Sequence, residues 1–205
     1  MKKYIIAFLI LIMSVFTLSG CKEENRERLL NISSDDTALL SLFSDDGSSE
    51  SNFFLQNYGH AFISVTNTST SAFMVGDRNV EPNETITVGL WNVFQHSGIW
   101  YNLESNYIKE HNKYNKRVSI TIGIDNNDIN TISSLIKEKD RWTPLYNCSK
   151  FALDAWNLVA EQSEKINAKF IMSPSYLVNE ICKFQEHEKV KELVTDENIR
   201  FYKEV

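Results

Sequence analysis

Hydrophobic and polar positions follow three regimes along this chain. Tyr4 to Leu18 is an almost unbroken apolar run. Residues 22–52 are mostly polar, with the charge run Lys22 to Arg28 and the small polar stretch Ser44 to Ser51. From Phe53 onward the pattern becomes periodic. Ala61, Ile63 and Val65 alternate with Phe62, Ser64 and Thr66, a period of two that predicts a strand. Asn67 to Thr70 then predicts a turn into a second strand, Ser71 to Gly76. Glu81-Pro82-Asn83-Glu84 predicts another turn before a strand over Thr85 to Trp91, and Val118, Ile120, Ile122 and Ile124 mark a fourth strand. The pattern then changes to a helical one. Asp125 to Asp128 offer caps for a helix with Ile129, Ile132, Leu135 and Ile136 on one face. Cys148 onward carries Phe151, Ala152, Ala155, Trp156 and Val159. Ser173-Pro174-Ser175 starts a third helix with Tyr176, Leu177, Ile181 and Phe184 inward, Pro174 suiting its first turn. Strands followed by packed helices predict an α+β domain, an antiparallel sheet against helices.

The first apolar run is an export signal by its physical character: Lys2 and Lys3 precede it, and it is shorter than the roughly twenty apolar residues that a membrane span needs. It ends in Leu18-Ser19-Gly20-Cys21. That ending resembles the lipobox of bacterial lipoproteins, which implies cleavage before Cys21, lipidation of its thiol and an extracytoplasmic domain anchored to a membrane by acyl chains. The expected organisation is therefore a signal peptide over 1–20, a lipid-anchored tether over 21–52 and one globular domain over 53–205. Within the tether, Leu39, Leu40, Leu42 and Phe43 suggest a short helix docking on the domain.

Charge narrows the partners. The whole chain carries a formal charge of −6, and loss of Lys2 and Lys3 with the signal takes it to about −8. So acidic a balance argues against nucleic acid. Cysteine usage excludes a disulfide scaffold: with Cys21 acylated, only Cys148 and Cys182 remain, either bridged or as two free thiols. No close Cys/His spacing suggests zinc, and no metal or organic cofactor is expected.

Two segments carry candidate chemistry, Tyr58-Gly59-His60-Ala61-Phe62 and Tyr146-Asn147-Cys148-Ser149-Lys150-Phe151. A thiol at a helix N-terminus lies at the positive end of the backbone dipole, which favours the thiolate. The first-turn amides of Cys148 and its neighbour are also free to donate to an oxyanion. His60, entering the first strand of the domain, is the candidate base. If Thr66 pairs with Ser71 across the turn, Asp77 falls opposite His60 and becomes the candidate group that orients the ring. A slip of one residue would bring Gly76 or Arg78 there instead. His96, His111 and His187 read as surface or capping residues, and Cys182 as a core position.

The order of histidine, strand partner and cysteine-bearing helix resembles the circularly permuted papain-like cysteine hydrolases, the clan that includes NlpC-type cell-wall amidases. The resemblance spans residues 58 to about 185. It implies Cys148 as nucleophile, His60 as base and a polar third residue on the strand after the histidine, which Asp77 matches imprecisely. The substrate it implies is a peptide, cell-wall or acyl compound: a stem peptide, an isopeptide or a lipid-linked acyl group, with hydrolysis or acyl transfer both open. Gly98 to Glu104 lies outside that pattern and is assigned to a wall of the cleft. The rival reading is a non-catalytic surface lipoprotein that binds glycan or a protein partner through Trp91, Trp100, Tyr101 and Trp142.

Overall fold

A computed structural model of the chain describes residues 26–48, 59–93, 95–184, 189–190 and 202–203. The signal, Cys21, the segment 49–58 with Tyr58, and His187 lie outside the described residues. The fold is α+β. Its elements are β1 (Arg26–Leu29), β2 (Ala38–Asp45), β3 (His60–Asn67), β4 (Phe73–Val75), β5 (Arg78–Val80), β6 (Thr85–Val93), β7 (His96–Tyr101), α1 (Leu103–His111), β8 (Val118–Ile124), α2 (Asn126–Glu138), α3 (Cys148–Val159), α4 (Pro174–Ile181), β9 (Lys189–Val190) and β10 (Tyr202–Lys203).

The main sheet has the order β10-β7-β6-β3-β2-β8-β1-β9, with an antiparallel centre from β7 to β8 and β1 parallel to β8. One face carries Leu40, Leu42, Ile63, Val65, Val88 and Leu90, all essentially inaccessible to solvent, and meets the apolar stripes of the later helices: Ile129, Ile132 and Ile136 of α2, Phe151, Ala152, Ala155 and Trp156 of α3, Leu177 and Ile181 of α4. The other face is smaller and more polar. There Phe43 stacks on Phe62 at 4.8 Å, with Ile108 of α1 and Tyr114 packed against them. Ser41 and Thr121 share a buried hydrogen bond of 2.8 Å on the same face, so these two hydroxyls are not left stranded.

Helix starts follow side-chain chemistry. Asp125 and Asp128 form a reciprocal capping box on α2, Asn147 accepts from the Lys150 amide at the start of α3, and Ser173 accepts from the Tyr176 amide on α4. These are the three helices expected from the sequence, α2 and α4 from their start signals and all three from the apolar spacing.

Two expectations are corrected by the pairing. The stretch 38–45 is not a docked helix within a tether; it is the strand β2, paired with β3 on one side and β8 on the other. Buried on both faces, it shows a near-continuous apolar run, Leu39-Leu40 and Leu42-Phe43, where a half-exposed strand would alternate. β1 likewise joins the sheet, starting five residues after Cys21. The domain therefore begins well before residue 53. The second correction concerns β3, which does not form a hairpin with the segment that follows it. β3 pairs with β2 and β6, whereas Phe73–Val75 turns back on Arg78–Val80 in a separate two-stranded sheet. The buried Asn67 side chain stabilises the exit from β3 by donating to the carbonyls of Ser71 and Val80, both at 2.9 Å.

Candidate active site

His60 is the first residue of β3, and its approach is set by Gly59. Gly59 has φ +66, and a Cβ there would run into the backbone of Asp45 and Asp46, so only glycine lets the incoming chain pass this close to the end of β2. The His60 side chain lies on the α1 face of the sheet, its ring 4.2 Å from Trp91, 5.7 Å from Tyr114 and 6.0 Å from Phe62. Only 5 % of the residue is exposed.

The group that meets the ring is Glu104. His60 Nε2 is 3.0 Å from Glu104 Oε1, which also accepts from the Trp91 indole at 2.7 Å, while Oε2 accepts from the Thr87 hydroxyl at 3.1 Å. Glu104 is wholly buried, so these partners are what make its burial tolerable. Its position is set by the start of α1. Asn102, in the left-handed conformation at φ 57, donates from its backbone to the Thr87 carbonyl at 2.9 Å and accepts the Thr87 amide on Oδ1 at 3.0 Å. That two-way bond ties the first turn of α1 to β6. Gly89, the β6 residue between Thr87 and Trp91 on this face, supplies the space: a Cβ there would overlap Glu104 Oε1 and reach His60 Nε2 at 3.0 Å.

Cys148 arrives from the other side, on the first turn of α3. Its thiol is in hydrogen-bonding contact with the His60 ring and the Ala61 backbone, and it is a free cysteine, half-buried at the wall of the cleft. Because Nε2 is engaged by Glu104, Nδ1 is the ring nitrogen left for the thiol. Burial pushes the Cys148 thiol up, but the hydrogen bond and charge of His60, with the Ala61 backbone and the Ser149 hydroxyl, outweigh it and bring the pKa below its ordinary value. For His60, burial opposes the charged form, while Cys148 and Glu104 favour it through hydrogen bonds and charge and raise its pKa to about 9. Both directions describe one arrangement, a thiolate beside an imidazolium.

The helix terminus adds donors. Asn147 takes the Phe151 amide on its carbonyl at 2.9 Å and the Lys150 amide on its side chain at 3.0 Å. Among the described residues, the amides of Cys148 and Ser149 have no acceptor, so they remain available to a developing oxyanion beside the thiol. Asn147 is itself held by donation to the Met172 carbonyl at 2.8 Å. The cleft these groups open into has a volume of about 770 Å³, with Trp91, Tyr107, Tyr114, Trp142 and Met172 as its apolar walls.

Of the sequence-derived site residues, His60 and Cys148 come together and Asp77 does not. Asp77 lies in the turn between β4 and β5, 3.4 Å from Arg78 Nε, because the hairpin that would have placed it opposite His60 does not form. Glu104 ends the segment assigned to a wall of the cleft, where the sequence gives it no role of its own. The available signal was an acidic residue two positions after Asn102, where the aromatic strand Ile99-Trp100-Tyr101 gives way to a helix. Its pairing with a residue on β3 has no counterpart in local periodicity.

The remaining residues divide as follows. His96 packs against Trp100 at 4.4 Å and, with burial, has a lowered pKa; His111 is exposed at the end of α1. Cys182 is disulfide-bonded, and not to Cys148, which is free; the one remaining cysteine of the sequence is Cys21, which lies outside the described residues. Tyr101 is wholly buried core, whereas Trp91 and Trp142 line the cleft. Among the described residues no cluster of potential ligands could hold a metal ion, and no helix is long and apolar enough to cross a membrane. Compared with family models, curated proteins and solved structures, the chain finds no match.

Proposed function

We propose that this chain is an exported cysteine hydrolase of permuted papain-like architecture that cleaves an amide or ester bond. The observation that carries the reading is the contact of Cys148 with His60 together with the 3.0 Å approach of Glu104 to the other ring nitrogen. Nucleophile, base and orienting group are then supplied by α3, β3 and α1 in turn.

In this mechanism the Cys148 thiolate attacks the substrate carbonyl, and the Cys148 and Ser149 amides stabilise the oxyanion. The His60 imidazolium gives its proton to the leaving amine or alcohol, leaving an acyl thioester on Cys148. Neutral His60 then takes a proton from water as its oxygen attacks the thioester, which frees the acid and restores the thiolate beside the imidazolium. An acceptor amine or alcohol in place of water would turn the same cycle into acyl transfer. Glu104 holds the ring through Nε2 in both steps. The substrate classes in view are a peptide, a cell-wall cross-link or a lipid-linked acyl group; the acidic chain is a poor fit to nucleic acid.

The test is active-site labelling of the purified protein with an iodoacetamide probe, followed by peptide mapping. Label on Cys148 that is lost in Cys148→Ser and reduced in His60→Ala supports the assignment. A Cys148 that reacts only after unfolding would favour the binding module, with Trp91, Tyr107 and Trp142 as a surface for glycan or a protein partner.

A further inference from the structure

The ladder between β3 and β6 stops short of both strands. Its last pair at the cleft end is Ile63 with Val88, although β3 reaches back to His60 and β6 runs on to Val93. Continued in the same register, it would set Ala61 opposite Leu90 and Gly59 opposite Asn92. Instead the Ala61 N–H is turned to the Cys148 thiol.

The far half of β6 is therefore paired on one side only. Thr87 makes two bonds to Asn102 on the β7 side, and the register of β6 with β7 continues without a bulge to Val93. Main-chain groups alternate in direction along a strand, so Gly89, Trp91 and Val93 also face β7, while Leu90 and Asn92 face the gap that β3 leaves. Leu90 and Asn92 line the cleft, and Asn92 is exposed. Among the described residues, the Leu90 carbonyl and the Asn92 N–H and carbonyl have no hydrogen-bond partner. Inside a sheet such groups are almost always paired, so three together mark a place for an incoming backbone.

Spacing and walls fit one kind of occupant. Leu90 and Asn92 are about 7 Å apart in an extended strand, the repeat at which another extended chain offers its own N–H and carbonyl. Side chains of a strand laid there alternate between the two faces of the sheet. On one face they meet Trp91 and Tyr107, whose rings stack at 5.5 Å; on the other they meet Trp142 and Met172, which pack with the helix-side core. Both walls are apolar. A plain acyl chain would fill them but would cover three main-chain groups without bonding any, at a desolvation cost.

We infer that the substrate of Cys148 is an extended peptide with apolar side chains, bound by strand addition to Leu90 and Asn92 of β6. The inference rests on the cysteine-hydrolase reading and selects the peptide from the substrate classes open to that mechanism. Main-chain bonds to β6 hold the peptide, and the two apolar walls choose its side chains.

Chloromethyl ketones, from which the thiolate displaces chloride, test the edge apart from turnover. Acetyl-leucyl-leucyl chloromethyl ketone is compared on the full chain with its forms N-methylated at each amide in turn, with a straight-chain alkyl chloromethyl ketone of similar length, and with iodoacetamide. The label on Cys148 is followed by mass. Methylation of at least one amide should slow labelling by about tenfold or more, as for loss of a hydrogen bond in a covered site, and the alkyl ketone should be slower than the parent. Asn92→Pro removes an N–H on the cleft side and none that β7 uses, and should slow the peptide probe far more than iodoacetamide. Equal rates for the parent and both methylated probes, or faster labelling by the alkyl ketone, overturn strand addition and give the cleft to an acyl chain, with the hydrolase reading intact. If Asn92→Pro slows both reagents alike, its fold is damaged and the methylated probes on wild type decide. A Cys148 that iodoacetamide labels only after unfolding removes the hydrolase reading and this inference together.

Discussion

His60 on β3 and Glu104 on α1 meet at 3.0 Å across the face of β6, over the one residue there that has no side chain, Gly89. The imidazole is thereby held from below by a carboxylate that is itself tied to Trp91 and Thr87, while its free nitrogen is left for the Cys148 thiol. A ring held by one fixed acceptor has one tautomer and one orientation, which is what a base shared between two proton transfers needs.

Glu104 and Asp77 should separate cleanly. Glu104→Gln keeps the volume but changes what is offered to Nε2, and turnover should fall by about 10²–10⁴, the range for loss of effective acid–base catalysis. Glu104→Ala also strands the Trp91 N–H in a buried site and should lower stability by about 1–3 kcal/mol. Asp77→Asn should leave both turnover and stability within error of wild type. Steady-state kinetics and urea unfolding on the three variants check this, and a large loss in Asp77→Asn would refute the assignment of Glu104.

The pH dependence of the thiol follows from the two shifts. With the Cys148 pKa depressed and His60 raised to about 9, alkylation of Cys148 should stay fast through neutrality and slow only as the thiolate is protonated at lower pH. His60→Ala removes the largest cause of the depression and leaves burial pushing the thiol up, so the alkylation profile should move to higher pH. Stability has its own sign. A folded-state pKa raised above 6.5 means that His60 contributes stability fully present below 6.5 and lost as pH rises through about 9. Cys148 contributes with the opposite sign over the same interval, because its depressed pKa adds stability as pH rises toward the free-thiol value of about 8.5, so thermal unfolding of wild type should be nearly independent of pH between about 6.5 and 8.5. Identical alkylation profiles in the two proteins would mean that the ring and the thiol do not interact.

Gly89 is a sharp steric test. A methyl at Gly89→Ala would overlap Glu104 Oε1, and the carboxylate has no room to retreat because Trp91 and Thr87 already hold it. The expected outcome is loss of the His60 contact and an activity close to that of Glu104→Ala, in a protein whose far-UV spectrum is unchanged. Proton spectra of the His60 ring in the two proteins would show whether the contact is gone; full activity in Gly89→Ala would contradict this packing.

The boundary of the domain is open to truncation. If residues 21–52 were a tether, their removal would leave a folded protein. With β2 paired on both sides, removal takes out a central strand and should abolish cooperative unfolding. A milder version, Leu40→Ala or Leu42→Ala, should cost about 2–5 kcal/mol, as for aliphatic side chains deleted from a packed core. Calorimetry distinguishes the outcomes.

Processing can be read by mass. Acylation and a bridge to Cys182 are exclusive fates of the Cys21 thiol: the first predicts a lipid-sized increment on an N-terminal Cys21 peptide and a soluble or uncut Cys21→Ala variant, the second a Cys21 peptide released only on reduction. Cys182 is already disulfide-bonded, and mass before and after reduction identifies its partner. Finding the Cys21 thiol in that bridge would overturn lipidation, since one sulfur cannot be both a thioether and half of a disulfide.

Local chemistry in the sequence was enough for the elements that carry their own signals. The alternation over 60–67 and 118–124, the capping residues Asp125 and Ser173, and the apolar stripes of the three helices depend only on near neighbours, and they placed β3, β8, α2, α3 and α4. They also put His60 at a strand start and Cys148 in a first helical turn, where each is exposed to the forces that shift its pKa. What tertiary structure decided was every relationship between distant segments. β2 was hidden because a strand covered on both faces loses the alternation by which strands are recognised, and its burial comes from β3 and β8, not from its own composition. The pairing of β3 with β2 and β6 carried Asp77 away, since strand partners are chosen by the core face they jointly bury and not by adjacency in the chain. Glu104 became the partner of His60 because Asn102 fastened α1 to β6 and Gly89 left the gap. Residues separated by 44 positions meet there through contacts that no window of sequence contains.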